Sequence, residues 1–123
     1  MIKQRNDKLT KEEELELGRR IQEWQKVEAQ IEAGHDMIDN AEEIIQEGKE
    51  AFEILVSNHY NLARKIAHRH HKRTGTRYAI DDLLQDAITA LCEATYTYDP
   101  AMDCRLSTHA YYRITKEVTT SIN

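Results

Sequence analysis

Three histidines fall within four residues in HRHH, at positions 68, 70 and 71. Imidazole is a common zinc ligand, so the cluster invites a metal reading. Ligands to one ion on a helix need spacings of three or four residues, and only His68 and His71 meet that. No acid or cysteine stands beside them. A basic surface patch is the better reading, and no metal is expected. The Asp and Glu pairs elsewhere read as solvated helix faces, since nothing places two of them in a cleft. There is no glycine-rich phosphate loop, no GxSxG and no Cys-His nucleophile context. An enzyme is therefore not expected, and neither a catalytic residue nor a cofactor is assigned.

A second stretch, DPAMDCRLSTHAYYRI, offers rings, cations and hydroxyls without a catalytic group. The chain's net charge of −5 argues at first against a polyanionic partner, yet the charge is unevenly spread. Residues Glu12 to Glu53 are strongly acidic. Residues Arg64 to Arg77 hold Arg64, Lys65, Arg69, Lys72, Arg73 and Arg77 with no acid. Such asymmetry suits one face for an acidic polymer and another for a basic partner. A solvated helix face is the plainer alternative at this point.

The elements that must position these groups are helical. With 4 glycines and 1 proline in 123 residues, helix breakers are scarce, and one all-α domain with a modest core is expected. No apolar run approaches the ~20 residues that cross a bilayer. The start, MIKQRNDKLT, lacks the apolar stretch of a signal peptide, so a cytoplasmic location with no membrane contact is expected. Cys92 and Cys104 form no CxxC pattern and read as reduced thiols.

About five helices follow from caps and periodicity. Thr10 with Glu13 fits a capping box. Leu17, Ile21, Trp24 and Ile31 give the first helix its apolar stripe, and Gly34 is a left-handed stop. Asp36 can cap a second helix striped by Ile38, Ala41, Ile45, Phe52 and Leu55. A break near Ser57 and Asn58 would introduce a third, with Leu62, Ala63, Ile66 and Ala67 inward. Asp81 can cap a fourth, with Leu84, Ala87, Ile88, Leu91 and Cys92 inward. After Pro100, Ser107 or Thr108 would cap a fifth, with Ala110, Ile114 and Val118 inward.

The stretch IDDLLQDAITALCEATYTYDPAMDCRLSTHAYYRI resembles region 2 of bacterial sigma factors of the sigma-70 family, whose pattern runs DDLIQ, FDP, FSTYA and RI. Asp81, Asp82, Leu83, Gln85, Leu91, Ala94, Asp99, Pro100, Ser107, Thr108, Ala110, Arg113 and Ile114 match in order and spacing. NLARKIAHR, residues 61–69, is similar to region 2.1, and LTKEEELELGRRI to region 1.2. The likeness thus covers most of a single domain spanning residues 1–123, region 1.2-like over 10–34 and region 2-like over 36–123. Ala87 and Ala90 stand where the family commonly has glycines, Leu106 and His109 where it has aromatics, and His59 where it has an asparagine.

The resemblance implies a compact helical domain that docks on the clamp-helix coiled coil of the β′ subunit of core RNA polymerase. It also implies recognition and melting of the promoter −10 element during transcription initiation, in a bacterial or phage-infected bacterial cell. Carried over by position, Asp82, Gln85, Asp86 and Thr89 would face the polymerase. Tyr111, Tyr112 and His109 would stack on bases of the non-template strand, since an aromatic returns about 1 to 3 kcal/mol per base. Arg105 and Arg113 would meet phosphates, Ser107 and Thr108 would begin the DNA-facing helix, and Lys116, Thr119 and Thr120 would meet the duplex edge upstream. At most one of the two adjacent tyrosines is expected in the core, because neighbours on a helix point about 100° apart. Region 4 has no counterpart on this chain, so it is expected to be one part of a larger factor or to work with a second protein that supplies that region. The alternative is a regulatory decoy or appropriation factor that binds polymerase without melting DNA.

Overall fold

The computed structural model describes residues 8–35, 38–74, 79–102 and 104–122. Four helices account for most of them: α1 (Lys11–Glu32), α2 (Ala41–Thr74), α3 (Ile80–Tyr96) and α4 (Leu106–Ile122). The fold is all-α. α1 packs on α2, α2 on α3 and α4, and α3 on α4.

α1 starts where the sequence says it should. The Thr10 hydroxyl accepts from the Glu13 amide at 3.1 Å and the Glu13 carboxylate accepts from the Thr10 amide at 2.9 Å, the reciprocal capping box. It stops in a Schellman turn, with the Gly34 amide on the Ile31 carbonyl and the His35 amide on the Gln30 carbonyl. Gly34 has φ of 93°, a conformation open to glycine and costly for most other residues.

α2 departs from expectation. It is one helix of 34 residues, about 51 Å long, rather than two with a break at Ser57 and Asn58. Neither residue is a glycine or proline, and Leu55, His59, Ala63 and Ile66 carry the buried stripe across the join at three- and four-residue steps. Packing thus overrides a weak local signal. The expected cap at Asp36 lies outside the described residues. α2 begins at Ala41, after Asn40 in the left-handed region at φ 60°.

Two further caps are corrected. α3 starts at Ile80 with Ala79 as its N-cap and no side-chain cap bond, so Asp81 sits in the first turn beside Asp82. There both carboxylates still favour the positive end of the helix. α4 starts at Leu106, ahead of Ser107 and Thr108, and its first amide is satisfied from another helix, as described below.

The core gathers Leu17 and Ile21 of α1, Leu55, Ile66 and Ala67 of α2, Leu83, Ala87, Leu91 and Ala94 of α3, and Leu106, Ala110, Ile114 and Val118 of α4. Leu83 is fully inward while Leu84 is half-buried, a rotation of α3 by about one residue from the expected stripe. Ile31, expected inward, is exposed at the end of α1.

Candidate nucleic-acid interface

The loop between α3 and α4 is tied to α1 by one buried carboxylate. Glu14 is only 1% exposed. It accepts from the Leu106 amide at 2.6 Å and from Arg105 Nε at 3.2 Å and Nη2 at 2.8 Å. Arg105 Nη2 also donates to the Leu9 carbonyl at 3.2 Å. Hydrogen bonding to Glu14 raises the already high pKa of Arg105. His59 stands at the same hub, with Nδ1 2.8 Å from the Leu55 carbonyl and Nε2 3.9 Å from Glu14. A carbonyl only accepts, so Nδ1 carries the hydrogen. The carboxylate's burial is offset by several charge-assisted and amide hydrogen bonds, as a buried ion requires.

The loop itself is braced by Tyr98, which is 3% exposed and donates its hydroxyl to the Cys104 carbonyl at 3.2 Å. Burial raises the Tyr98 phenol's pKa, and the Glu14 carboxylate adds to that. Asp99 closes a turn by accepting from the Ala101 amide at 2.9 Å. α1 lets the loop come close at Gly18, where an added Cβ would meet Pro100 Cγ at 2.8 Å and the Tyr98 ring at 3.1 Å.

α4 presents what this frame holds. Leu106, Ala110, Ile114 and Val118 point inward, so Thr108, Tyr112, Lys116 and Thr119 form the outward crest at helical spacing. Tyr112 is 70% exposed and Tyr111, on one flank, 38%. Their rings meet edge to face, with centroids 5.7 Å apart. Neither is core, within the expectation of at most one. His109 turns partly inward, 6.5 Å from the Tyr98 ring, with Nε2 buried and unpartnered among the described residues. Arg113, on the other flank, pairs with Glu93 at 3.1 Å. Ser107 and Thr108 are exposed in the first turn, and the Thr120 hydroxyl donates back to the Lys116 carbonyl at 2.8 Å.

α3 shows a different surface. Asp82, Gln85 and Thr89 are exposed and Asp86 is half-buried, at positions i, i+3, i+7 and i+4 of one polar stripe. Glu93 extends that stripe by a turn, so the Arg113–Glu93 pair joins the α3 stripe to the flank of α4.

The HRHH segment lies at the end of α2. His68 is exposed, while His70 places Nδ1 3.0 Å from the Ile66 carbonyl and Nε2 3.4 Å from the Thr119 hydroxyl. Among the described residues no group of three or more His, Cys, Asp or Glu side chains could hold a metal ion, and no helix is long and apolar enough to cross a membrane.

The sequence-based reading missed Glu14, His59 and Tyr98 as organisers of the loop. One signal was there: Glu14 precedes Leu17 and Ile21 at three- and four-residue steps, a carboxylate on the apolar stripe.

The described residues thus form a four-helix, all-α domain with an aromatic helix crest beside an acidic polar stripe. The family model for Sigma-70 region 2 matches residues 55–123, more than half of the chain, and the protein belongs to that family. The family binds core RNA polymerase and promoter DNA in transcription initiation.

Proposed function

We propose that the chain is a sigma region 1.2 and 2 module that docks on the clamp-helix coiled coil of β′ through α3 and holds the melted non-template strand of the −10 element on α4. The observation that carries the reading is the Tyr111–Tyr112 pair, two rings held outward on a helix whose opposite face is fully buried. Adjacent exposed aromatic faces mark an interaction surface, and a base released from its stack covers them. The acidic stripe of α3 suits a basic partner surface, which reconciles a net charge of −5 with work on DNA. On this reading Asp82, Gln85, Asp86 and Thr89 meet polymerase. Thr108, Tyr111, Tyr112, Lys116 and Thr119 meet the strand and the duplex edge, Ser107, His109 and Thr120 border them, and Arg105 and Arg113 supply cations from the flanks.

The test separates the two faces. Asp82→Arg or Gln85→Arg abolishes capture of core polymerase, whereas Tyr112→Ala keeps capture and loses permanganate reactivity of the promoter bubble. Loss of one stacked base weakens strand binding about 5- to 150-fold, the equivalent of 1 to 3 kcal/mol. Normal reactivity in Tyr112→Ala removes the stacking role, and a wild-type chain that never captures polymerase removes the whole reading. A decoy that binds polymerase without melting is favoured by one feature. Arg105 and Arg113 are each already paired within the chain, to Glu14 and Glu93. Wild-type capture without any reactive bubble would establish it.

A further inference from the structure

α3 ends on an aromatic side chain. Tyr96 follows Glu93 at i+3, Thr89 at i+7, Gln85 at i+11 and Asp82 at i+14, within about 40° of Asp82 around the axis, so it closes the same stripe. It is 44% exposed, and among the described residues the other exposed large apolar side chains, Ile31, Met102, Tyr111 and Tyr112, lie outside α3. The acids of α3 are Asp81, Asp82, Asp86 and Glu93, and the helix has no lysine, arginine or histidine. An exposed ring thus stands at the end of a surface with one sign of charge.

Three helices fix that ring. It meets Trp24 of α1 edge to face, with centroids 5.6 Å apart and planes at 85°, and Trp24 meets Phe52 of α2 in the same way at 6.4 Å. Gln25 donates its side-chain amide to the Tyr96 carbonyl, and Gln22 donates to the Asp99 carboxylate at 3.2 Å, so α1 fastens the end of α3. Edge-to-face packing leaves at least one face of Tyr96 uncovered by Trp24. A ring already held in place loses little freedom when a partner covers it. We infer that Tyr96 anchors the polymerase-docking face by receiving an arginine of the basic partner surface on its open face. This rests on the reading of α3 as that docking face. The negative face of an aromatic ring attracts a cation within about 6 Å of its centroid. A guanidinium lies flat on a ring while its N–H groups stay free for a carboxylate. Glu93, one turn before Tyr96 and with its side chain 54% exposed, already pairs with one guanidinium, that of Arg113. From Asp82 to Tyr96 the stripe runs about 21 Å, a length of helix along which a partner helix can lie. A nucleic-acid strand fits less well, because its phosphates would run along carboxylates.

The experiment measures the affinity of the full chain for core polymerase. Tyr96→Phe keeps the ring and binds like wild type. Tyr96→Leu keeps apolar bulk without the ring and binds about 5- to 30-fold more weakly. Fluorine atoms added stepwise to the ring of the Tyr96→Phe variant keep its shape and drain its negative face, so affinity falls with each one while Tm stays constant. This series carries the test even where Tyr96→Leu lowers Tm. Equal affinity across the fluorine series overturns the inference, and so does wild-type affinity in Tyr96→Leu. Weaker single-strand binding by a Tyr96→Leu chain that still captures polymerase normally also overturns it and assigns the ring to nucleic acid. Asp82→Arg separates these failures from failure of the underlying reading, since it abolishes capture wherever α3 is the docking face, whatever Tyr96 does. A wild-type chain that never captures polymerase overturns the docking reading and this inference together.

Discussion

Replacing Glu14 by Gln tests whether one carboxylate sets the position of α4. The neutral amide keeps an oxygen for the Leu106 amide, now at 2.6 Å, but turns an NH2 group toward Arg105, whose Nη2 sits 2.8 Å from Oε2. A hydrogen bond to a charged group contributes about 1.5 to 3 kcal/mol. The Arg105 side chain is 41% exposed, so water recovers part of that and a net loss of about 2 kcal/mol is expected. For a domain of this size that corresponds to a fall in Tm on the order of 8 °C. Thermal denaturation measures the total, and hydrogen exchange localises it: the Leu106 and His109 amides exchange faster while amides in the middle of α2 keep their protection ranking. A double-mutant cycle with Arg105→Met isolates the pair and is expected to show a coupling of about 1 kcal/mol or more. A Tm within about 1 °C of wild type, or strictly additive single mutants, would refute the reasoning.

Gly18→Ala drives a methyl group to 2.8 Å from Pro100 and 3.1 Å from the Tyr98 ring, so the loop must shift. A loss of about 1 to 3 kcal/mol in denaturant unfolding is expected, and a neutral result would show that the loop yields freely. Thr10→Ala removes the capping-box hydroxyl and costs about 1 kcal/mol, read by the same assay. Arg113→Gln breaks an exposed pair with Glu93 and changes stability by under about 1 kcal/mol, while strand binding by the polymerase-bound chain falls. The Tyr98 phenol is raised in the folded chain by burial, so it binds its proton more tightly folded than unfolded. Its contribution is intact below the unfolded value of about 10 and declines as pH rises past it. Tyr98→Phe should lose that alkaline slope, and the same slope in both proteins would exclude this tyrosine as its source.

Local chemistry made much of the fold legible. The Thr10–Glu13 box, the Gly34 stop and the apolar series of α4 depend on neighbours within a turn or two, and all three stand as the sequence implies. What was not legible depends on distant partners. Ser57 and Asn58 favour a break in isolation, yet the shared core of Leu55 and Ile66 keeps α2 continuous. Ser107 and Thr108 are the local cap candidates for α4, whereas the acceptor for its first amide is Glu14, some 90 residues earlier in the chain. Periodicity marks Glu14 and the α2 stripe as inward, but it does not say which distant group each one meets. Helical spacing limits the core to at most one of the two tyrosines, and both lie outward, whereas the residues of the α3 stripe are singled out by the sigma resemblance and not by spacing.

The unbroken α2 changes where the chain can be divided. The family match opens at residue 55, in the middle of that helix. A fragment trimmed to the match would sever the rod at Leu55, discard α1 with Glu14, and leave Arg105 and the Leu106 amide without their acceptor. The span that the family model matches is therefore shorter than the packed unit seen here. Grafts and truncations of this protein should be cut outside α1.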